Sequence, residues 1–160
     1  MTITLEAIEA KQSELSSKQI ELLNLIESFK IQIKPTEVVV AAATISLASG
    51  ERYAGLVLDD DGKPSHHLIL LPEDVKGKSW SDAAAWAVER GGELPTRREQ
   101  SLLFANLKQH FEKEWYWSAE EYESNDAFAW CQYFPVGTQL NGLKVFDNCR
   151  ARAVRRLTIL

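Results

Sequence analysis

Cysteine is scarce in this sequence, since Cys131 and Cys149 are the only two among 160 residues. Two cysteines are too few for a disulfide-stapled scaffold, and they lack the closely spaced pairs that bind zinc. They are compatible with two free thiols or with one bridge. We expect free thiols, because a cysteine inside a cell is commonly a small buried apolar residue.

The sequence also lacks the features of a membrane or secreted protein. The apolar segment from Val38 to Ala48 spans eleven residues, well short of the ~20 that a membrane helix needs. Residues 1–4 carry no basic region before an apolar one, which is the pattern of a secretory signal. We therefore expect a cytoplasmic protein without a membrane partner.

Basic residues are fewer than acidic ones in this sequence. The chain has 18 Lys and Arg against 23 Asp and Glu, which gives a formal charge of −5 and a pI near 5.3. Attraction to phosphate backbones is weak at this charge, so generic nucleic-acid binding is disfavoured. The hydrophobic share of 45% is that of an ordinary folded protein, and the length suits one globular domain, or one domain with an extension.

Residues 4–34 contain neither Gly nor Pro and repeat apolar side chains at helical spacing, which predicts one long N-terminal helix. One heptad frame fits this segment, with two glutamines inside an otherwise apolar seam. Its a positions are Leu5, Gln12, Gln19, Ile26 and Ile33, and its d positions are Ile8, Leu15, Leu22 and Phe29. Because polar residues at a help to fix register and strand number, the pattern favours a parallel homo-oligomer, a trimer first and a dimer second. The alternative, which Leu23 and Leu25 outside the seam support, is an amphipathic helix packed on its own domain.

Pro35 ends the predicted helix, because proline has no backbone donor and disfavours helical geometry in the residue before it. We therefore divide the chain into a helix over residues 1–34 and a globular domain over residues 35–160. At the start of that domain, residues 38–47 are β-branched and Ala-rich, which predicts a buried strand or a connecting segment.

Two short apolar runs, Tyr53–Leu58 and His67–Leu71, flank the turn-forming segment Asp59–Pro64 and predict a β-hairpin. The acidic triplet in the turn does not fit a calcium loop, because its glycine comes too early and no distant Glu follows. His66 and His67 are adjacent, so on a strand they point to opposite faces and cannot bind one metal together. We expect ordinary strand-edge histidines and no metal site.

Two helix starts are marked by capping patterns. Ser79 and Asp82 open a helix that is expected to run to about Arg90, while Thr96 and Glu99 open a second one. Farther along the chain, both faces of the segment 127–134 are largely apolar, which predicts a central strand. The remaining predictions are strands at Trp115–Ser118 and Arg150–Leu157 and polar loops at Glu120–Asn125 and Gly137–Asn148.

A family resemblance is carried by the order and spacing of several segments. They are Glu51–Gly55, Trp80 with its Ala-rich helix, Gly91–Thr96 with Glu99, Leu103–Leu107, Tyr116–Tyr122, Ala129–Phe134 and Arg150–Arg155. In this order they resemble the C-terminal domain family of collagen-like adhesins, which is also widespread in phages and prophages.

The resemblance implies a variant of the C-type lectin fold, related to formylglycine-generating enzymes and to the variable receptor-binding proteins of diversity-generating phages. The implied class is α+β: two helices flank a small twisted, mainly antiparallel sheet, and long loops present a ligand surface. The Glu-Pro-Asn and Trp-Asn-Asp motifs of sugar-binding C-type lectins are missing, so a calcium-dependent sugar site is not implied. The cysteine arrangement of the formylglycine-generating enzymes is missing as well. The N-terminal helix stands where the adhesins have a collagen-like stalk.

Catalysis and a cofactor are not expected, because no nucleophile, base or metal cluster with convincing spacing is visible. We interpret His110 as part of an exposed acidic helix end and residues 120–126 as a solvated acidic loop. Four late arginines are expected to form salt bridges with that loop rather than to bind phosphates, because the chain is acidic and the resembling family has arginines here as framework. They are Arg150, Arg152, Arg155 and Arg156.

Ligand recognition is expected on loops, since loops on a rigid scaffold commonly carry it. Trp115, Trp117 and Trp130 are instead expected in the core. The resembling receptor-binding proteins bind through this late region of the fold. The resemblance therefore implies eight ligand-binding candidates, which are Tyr122, Asn125, Tyr133, Gln139, Asn141, Lys144, Phe146 and Asn148.

Two functions fit these expectations. The first is a non-catalytic binding module of phage or prophage origin, oligomerised by its N-terminal helix, that recognises a protein or a glycan; it would be cytoplasmic in the producing cell or assembled into a virion. The second is a cytoplasmic phage accessory protein that binds and inhibits a host enzyme or a defence component. An enzyme of the formylglycine-generating lineage is a weaker third hypothesis.

Overall fold

A computed structural model describes residues 4–32 and 44–159 of the chain. The chain divides into two compact units, residues 1–39 and 40–160. The boundary predicted after residue 34 lies outside the described residues, and so does most of the segment 38–47, of which residues 44–47 are neither helix nor strand. The architecture is α+β, with one long N-terminal helix, two small antiparallel sheets and a few short helices.

The first unit contains the predicted long helix, α1 (Leu5–Gln32). Glu14 forms salt bridges with Lys11 and Lys18 at 2.7 and 3.0 Å, and these pairs on the helix surface stabilise the helix. Every residue of α1 is exposed, including Leu15 at 69% and Leu22 at 57% in the predicted seam. The helix therefore carries an uncovered apolar surface. No helix in the described part of the chain combines the length and apolarity needed to cross a lipid bilayer.

Over its described residues, 44–159, the second unit contains two further helices, six strands and a short 3₁₀ turn at Lys108–His110. In chain order the elements are β1 (Arg52–Leu58), β2 (Pro64–Leu70), α2 (Trp80–Glu89), α3 (Arg97–Leu107), β3 (Trp115–Glu121), β4 (Phe128–Tyr133), β5 (Thr138–Leu143) and β6 (Val154–Thr158).

The strands form two antiparallel sheets with the orders β1-β2-β6 and β3-β4-β5. The predicted hairpin is the β1-β2 pair, and the prediction of a central strand is confirmed by β4, which lies between β3 and β5. The prediction of a loop over residues 137–148 is wrong for β5. Its Thr, Gln and Asn residues are typical of loops, but pairing with β4 from Tyr133–Thr138 to Phe128–Leu143 fixes them as an edge strand. The predicted loop at residues 120–125 is also shorter, because β3 continues to Glu121.

Two apolar cores lie on the two faces of the second sheet. On one face, Trp117 and Cys131 pack with the buried residues of α2, namely Ala83, Trp86 and Ala87. On the other face, Tyr116 and Phe134 pack with Leu103 of α3 and with Leu68 and Leu70 of β2. Successive residues of β3 and β4 thus enter different cores, which is the alternation expected of a strand that is covered on both sides.

Both predicted helix caps are confirmed. The Ser79 side chain accepts a hydrogen bond from the Asp82 N–H at the start of α2. At the start of α3, Thr96 and Glu99 form a reciprocal capping box: the Glu99 N–H donates to the Thr96 hydroxyl at 3.2 Å, and the Thr96 N–H donates to the Glu99 carboxylate at 2.8 Å. The capping box fixes where the first residue of α3 lies.

The C-terminal segment joins the two sheets, so the strand predicted over residues 150–157 begins later than expected. Arg150 makes a parallel bridge to Tyr116 of the second sheet, and Ala151 makes a bridge to Val75. Only from Val154 does the chain pair with β2 in the first sheet. Cys149 lies at a bend before this crossing.

The prediction that the late arginines brace the acidic loop is wrong, because the crossing brings each of them to a different partner. Arg150 binds Asp74 through two hydrogen bonds of 2.9 Å, and Arg155 binds Glu51 through two of 2.7 Å. Arg152 donates to two backbone carbonyls, those of His110 and Leu71. Arg156 binds Glu99 and also Glu93. These contacts tie the C-terminal segment to the body of the domain.

Glu99 is the most deeply buried carboxylate of these pairs, with 1% of its side chain exposed. Arg156 donates to its two oxygens at 2.6 and 2.7 Å, and His66 of β2 lies 2.9 Å away. Burial raises the pKa of this carboxyl, but the hydrogen bonds from Arg156 and from the Thr96 N–H outweigh burial and hold the pKa below its usual 4.5. Glu99 is therefore an ionised junction between α3, β2 and β6.

The two histidines do not lie at a strand edge as predicted, because β2 is the middle strand of its sheet. His66 faces Glu99, while His67 is buried and its Nδ1 lies 3.0 Å from the Tyr53 hydroxyl. His110 is half-buried rather than at an exposed end, and burial, with Arg52 and Arg152 nearby, lowers its pKa. The Asp59 carboxylate closes its own turn by accepting from two backbone N–H groups.

Replacing Glu99 is expected to destabilise the domain. The substitution Glu99→Gln leaves the half-buried Arg156 without its buried countercharge, which typically costs about 3 kcal/mol of unfolding free energy. Glu93→Gln removes the exposed partner of the same arginine, 67% exposed, and should cost less than about 1 kcal/mol. Urea unfolding of both variants measures the difference, and equal losses would contradict the role given to Glu99.

The pH dependence of this effect has a definite sign. The pKa of Glu99 is lower in the folded protein than its ordinary value of 4.5, so its stabilisation is complete above that pH and is lost as the pH falls below it. The stability gap between wild type and Glu99→Gln should consequently shrink below pH 4.5. A gap that grows on acidification would be inconsistent with an ionised, paired carboxylate.

Candidate ligand-binding surface

Trp130 lies at the centre of an open part of the second sheet. On β4, it shares a face with Phe128 and Gln132, and its direct neighbour on β5 is Asn141. Helix α3 covers the Gln132 end of this face, so Gln132 is buried, but Trp130 is only partly buried. The prediction that Trp130 belongs to the core is therefore wrong, whereas Trp117 is fully buried as predicted and Trp115 is half-buried.

Arg97 covers the Trp130 ring. Its guanidinium carbon lies 3.6 Å from the ring centroid, which is a close cation–π contact. Arg97 is the first residue of α3, and its backbone N–H donates to the Glu120 carboxylate at 2.8 Å. The capping box of α3 and this carboxylate together set the position from which the arginine side chain reaches the tryptophan.

Gln139 of β5 links this arginine to the sheet. The Arg97 Nε donates to the Gln139 side-chain oxygen at 3.1 Å, and the Gln139 amide donates back to the Arg97 carbonyl at 2.8 Å. The same amide donates to the Gln132 side chain at 2.8 Å. These polar groups satisfy one another, so the surface is ordered before any ligand arrives.

The opposite rim of the surface is formed by the end of β3 and the turn that follows. The Tyr122 ring packs edge-on against Trp130 at 5.3 Å between centroids. The Trp130 indole N–H donates to the Glu123 carboxylate at 3.3 Å. A backbone hydrogen bond and this indole contact, with Arg97 nearby, lower the pKa of the Glu123 carboxyl. The surface thus offers aromatic edges, one guanidinium, one carboxylate and side-chain amides.

The eight predicted ligand-binding residues do not form one cluster. Tyr122, Gln139 and Asn141 lie around Trp130. Asn125 shapes the adjoining turn, where its side-chain oxygen accepts from the Ala127 N–H. The other four, which are Tyr133, Lys144, Phe146 and Asn148, lie elsewhere on β4 and in the segment after β5.

Those four residues have separate environments. Tyr133 is on the other face of β4, with its ring 5.2 Å from that of Trp115. Lys144 lies 4.6 Å from the Trp80 ring centroid and pairs with Glu121 at 3.1 Å. Phe146 is 53% exposed, and the Asn148 side chain accepts from the Cys149 thiol. Only Phe146 among them presents a large exposed apolar side chain to a ligand.

Arg97 and Trp130 are the members of this surface that sequence reasoning misses. Arg97 lies in α3, 42 residues before Gln139 of β5. Only the folded structure places its side chain over the sheet. A signal was available for Trp130, because it precedes a buried cysteine on an alternating strand and so had to face away from the core beside α2.

A serine, a histidine and a glutamate also line up at the Glu99 junction. The Ser65 hydroxyl lies 3.0 Å from His66 Nδ1, and His66 Nε2 lies 2.9 Å from Glu99. In a hydrolytic triad the carboxylate stabilises the histidine's charge, but here both Glu99 oxygens are bound by Arg156. We interpret these three residues as part of the structural framework of the domain.

Within residues 4–32 and 44–159, no group of three or more His, Cys, Asp or Glu side chains is placed to hold a metal ion.

A scan against models of known protein families finds no match to this chain, and a search of curated proteins finds no similar sequence.

The contact between Arg97 and Trp130 should be measurable as a coupling energy. A double-mutant cycle with Arg97→Ala and Trp130→Leu is expected to give about 1 kcal/mol of coupling in urea unfolding, because a partly desolvated cation–π pair is worth about that much. The neighbouring Arg98, whose side chain is 58% exposed and pairs with Asp60, is the control. Arg98→Ala should show no coupling to Trp130→Leu; equal coupling in the two cycles would contradict the stacking.

Proposed function

We propose that this protein is a non-catalytic, oligomeric binding module that recognises a protein or glycan ligand through the surface around Trp130. The observation that carries the proposal is the arrangement of Arg97, Trp130 and Tyr122, half-buried side chains held in place by hydrogen bonds and stacking. Trp, Tyr and Arg are the residue types that dominate binding energy at protein interfaces.

Exposed apolar side chains on β5 and in its flanking turns favour a protein ligand over a glycan. Leu140 on β5 is 53% exposed, and Val136, Val145 and Phe146 in the flanking turns are 66%, 77% and 53% exposed. These residues lie within a short stretch of chain on both sides of one edge strand. Apolar and aromatic side chains concentrated at one edge are typical of a surface that contacts another protein.

A C-type-lectin-like fold and a phage or prophage origin are part of the same proposal. Both rest on the sequence resemblance to the C-terminal domain family of collagen-like adhesins. The α+β architecture, with α2 and α3 packed on opposite faces of a small antiparallel sheet, supports the lectin-like fold. In this proposal the protein is cytoplasmic in the producing cell or is assembled into a virion.

The helix α1 supplies the oligomeric state in this proposal. Its seam residues are exposed in the single chain, and so are Leu23 at 59% and Leu25 at 62%. In the heptad frame these two residues occupy e and g, directly beside the a and d positions. They widen the apolar face in the C-terminal half of the helix.

Disruption of the seam should dissociate the protein. Full-length protein is expected to be a trimer of 18.1 kDa chains by light scattering, with a dimer as the second choice. Leu22→Glu places a charge at d and should yield monomers, because the charge would be buried against neighbouring helices. Ile20→Glu, at the b position outside the seam, is the matched control and should leave the oligomer intact. A monomeric wild-type protein would overturn the oligomeric part of the proposal.

Ligand binding should depend on the Trp130 surface and on the number of copies. Immobilised wild-type protein is expected to retain a specific component from a bacterial envelope fraction, and the double variant Trp130→Ala with Tyr122→Ala should lose at least ten-fold in affinity, since hot-spot truncation costs about 2 kcal/mol or more. Arg98→Ala, which changes an exposed residue of α3, is the control.

The identity of the retained component separates the alternatives. An envelope or virion protein supports the receptor-binding role, a bound glycan on an array would replace the protein ligand with a sugar, and a soluble host enzyme would favour the accessory, inhibitory role. Retention that is equal for the wild type and the double variant would contradict the site.

A further inference from the structure

The two cysteines of the chain lie against the same small cavity. Cys131 is on β4 and Cys149 is at the bend before the C-terminal crossing, and they are only 4% and 3% exposed. Both belong to the core beside α2. Both also line a cavity of about 130 Å³ whose other walls include Asn141 and Asn148. Because these two asparagines are exposed, the cavity reaches the surface, and a small reagent can approach the thiols from it.

The two thiols are neighbours in the fold. Both belong to the same core cluster and line the same cavity, and each shifts the pKa of the other. Proximity to Cys149 lowers the pKa of Cys131, whose thiol donates to the Leu140 carbonyl at 3.3 Å, whereas proximity to Cys131, followed by burial, raises the pKa of Cys149. Of the two thiols, Cys131 is therefore the one that loses its proton more readily. In thiol–disulfide exchange the thiolate is the attacking group.

We infer that Cys131 and Cys149 are a built-in modification site that forms an intrachain disulfide on reaction with a small disulfide such as oxidised glutathione. The reduced pair described by the structure is the form present in a reducing compartment. The bridged form is the one expected after the protein meets an oxidising environment.

The chemistry balances in two exchange steps. The Cys131 thiolate attacks one sulfur of oxidised glutathione, forms a mixed disulfide and releases one glutathione thiolate. The released glutathione thiolate takes the proton of the Cys149 thiol. The new Cys149 thiolate then attacks the Cys131 sulfur and releases the second glutathione. The two protein thiols lose two electrons in total, and one glutathione disulfide is reduced to two thiols. Formation of the mixed disulfide also removes the negative charge on Cys131 that holds the proton on Cys149.

The bridge would close the loop from residue 131 to residue 149. This loop contains β5 and the turn after it, and with them six of the eight predicted ligand-binding residues: Tyr133, Gln139, Asn141, Lys144, Phe146 and Asn148. Oxidation would restrict this segment covalently and so stabilise the edge that the binding proposal uses. This consequence rests on the proposed function, whereas the pairing of the thiols does not.

Tryptic mapping of full-length protein tests the pairing directly. Trypsin cleaves after Lys113, Lys144 and Arg150 and thus separates Cys131, in the peptide 114–144, from Cys149, in the peptide 145–150. After native protein is treated with oxidised glutathione, we expect the two peptides to be joined under non-reducing conditions and separated by a reductant. The melting temperature should rise by about 5 °C or more, because the bridge restricts the unfolded chain.

Single-cysteine variants test the order of attack. With Cys149→Ala, the glutathione adduct on Cys131 should accumulate, since the resolving thiol is gone. With Cys131→Ala, the adduct on Cys149 should form at least ten-fold more slowly. Both variants keep a small apolar side chain in the core, and their melting curves verify that they fold.

Two results would overturn the inference. One is that both thiols of the native wild-type protein remain free for alkylation after the treatment. The other is that disulfides form only between chains, seen as a covalent dimer without the linked peptides, or only in urea. A bridge that forms while the Trp130 surface shows no ligand would leave the pairing established and count against the binding proposal alone.

Discussion

The ion pair between Glu99 and Arg156 is the contact on which the arrangement of the second unit depends. A carboxylate that is almost fully buried must be paired and hydrogen-bonded, because the free energy of leaving it unpaired in the interior amounts to several kcal/mol. Here the pairing is met by elements far apart in sequence: α3 supplies the carboxylate, β6 the guanidinium and β2 a histidine. The buried Glu99 carboxylate therefore holds the first sheet against α3. If one of these elements were misplaced, the carboxylate would lose its partners and the fold would be destabilised by several kcal/mol.

The same carboxylate sets the geometry of the candidate surface. Through the capping box, Glu99 fixes the backbone at Thr96, and the next residue is Arg97, whose side chain lies over Trp130. A shift at the start of α3 would move the guanidinium off the ring and break its reciprocal bonds with Gln139. The framework and the surface are thus not independent, because one buried charge positions both the first turn of the helix and the arginine that the turn presents.

Local patterns predict most of the elements but few of the contacts between them. The long helix, the hairpin, both capped helices and the central strand follow from periodicity, turn residues and caps, which are properties of neighbouring residues. β5 does not, since Thr138, Gln139 and Asn141 become a strand only through their partners on β4. The arginines illustrate the same limit: their partners Asp74, Glu51 and Glu99 are chosen by the crossing of the C-terminal segment between two sheets. Of the site residues named from the sequence, Tyr122, Gln139 and Asn141 lie around Trp130. Arg97 is not among those named, because it reaches this surface from another element.

In the proposed function, the candidate surface would bind its ligand more tightly when several copies act together. Its polar groups are already bonded to one another, so binding would cost little ordering entropy, but for the same reason few donors and acceptors remain free to contact a ligand. Such a surface gives modest affinity at a single site. Presentation of several copies on one helical bundle would turn later contacts into intramolecular ones and raise the overall affinity without any new contact. The exposed apolar side chains of α1 and the ordered surface around Trp130 are both consistent with that proposal.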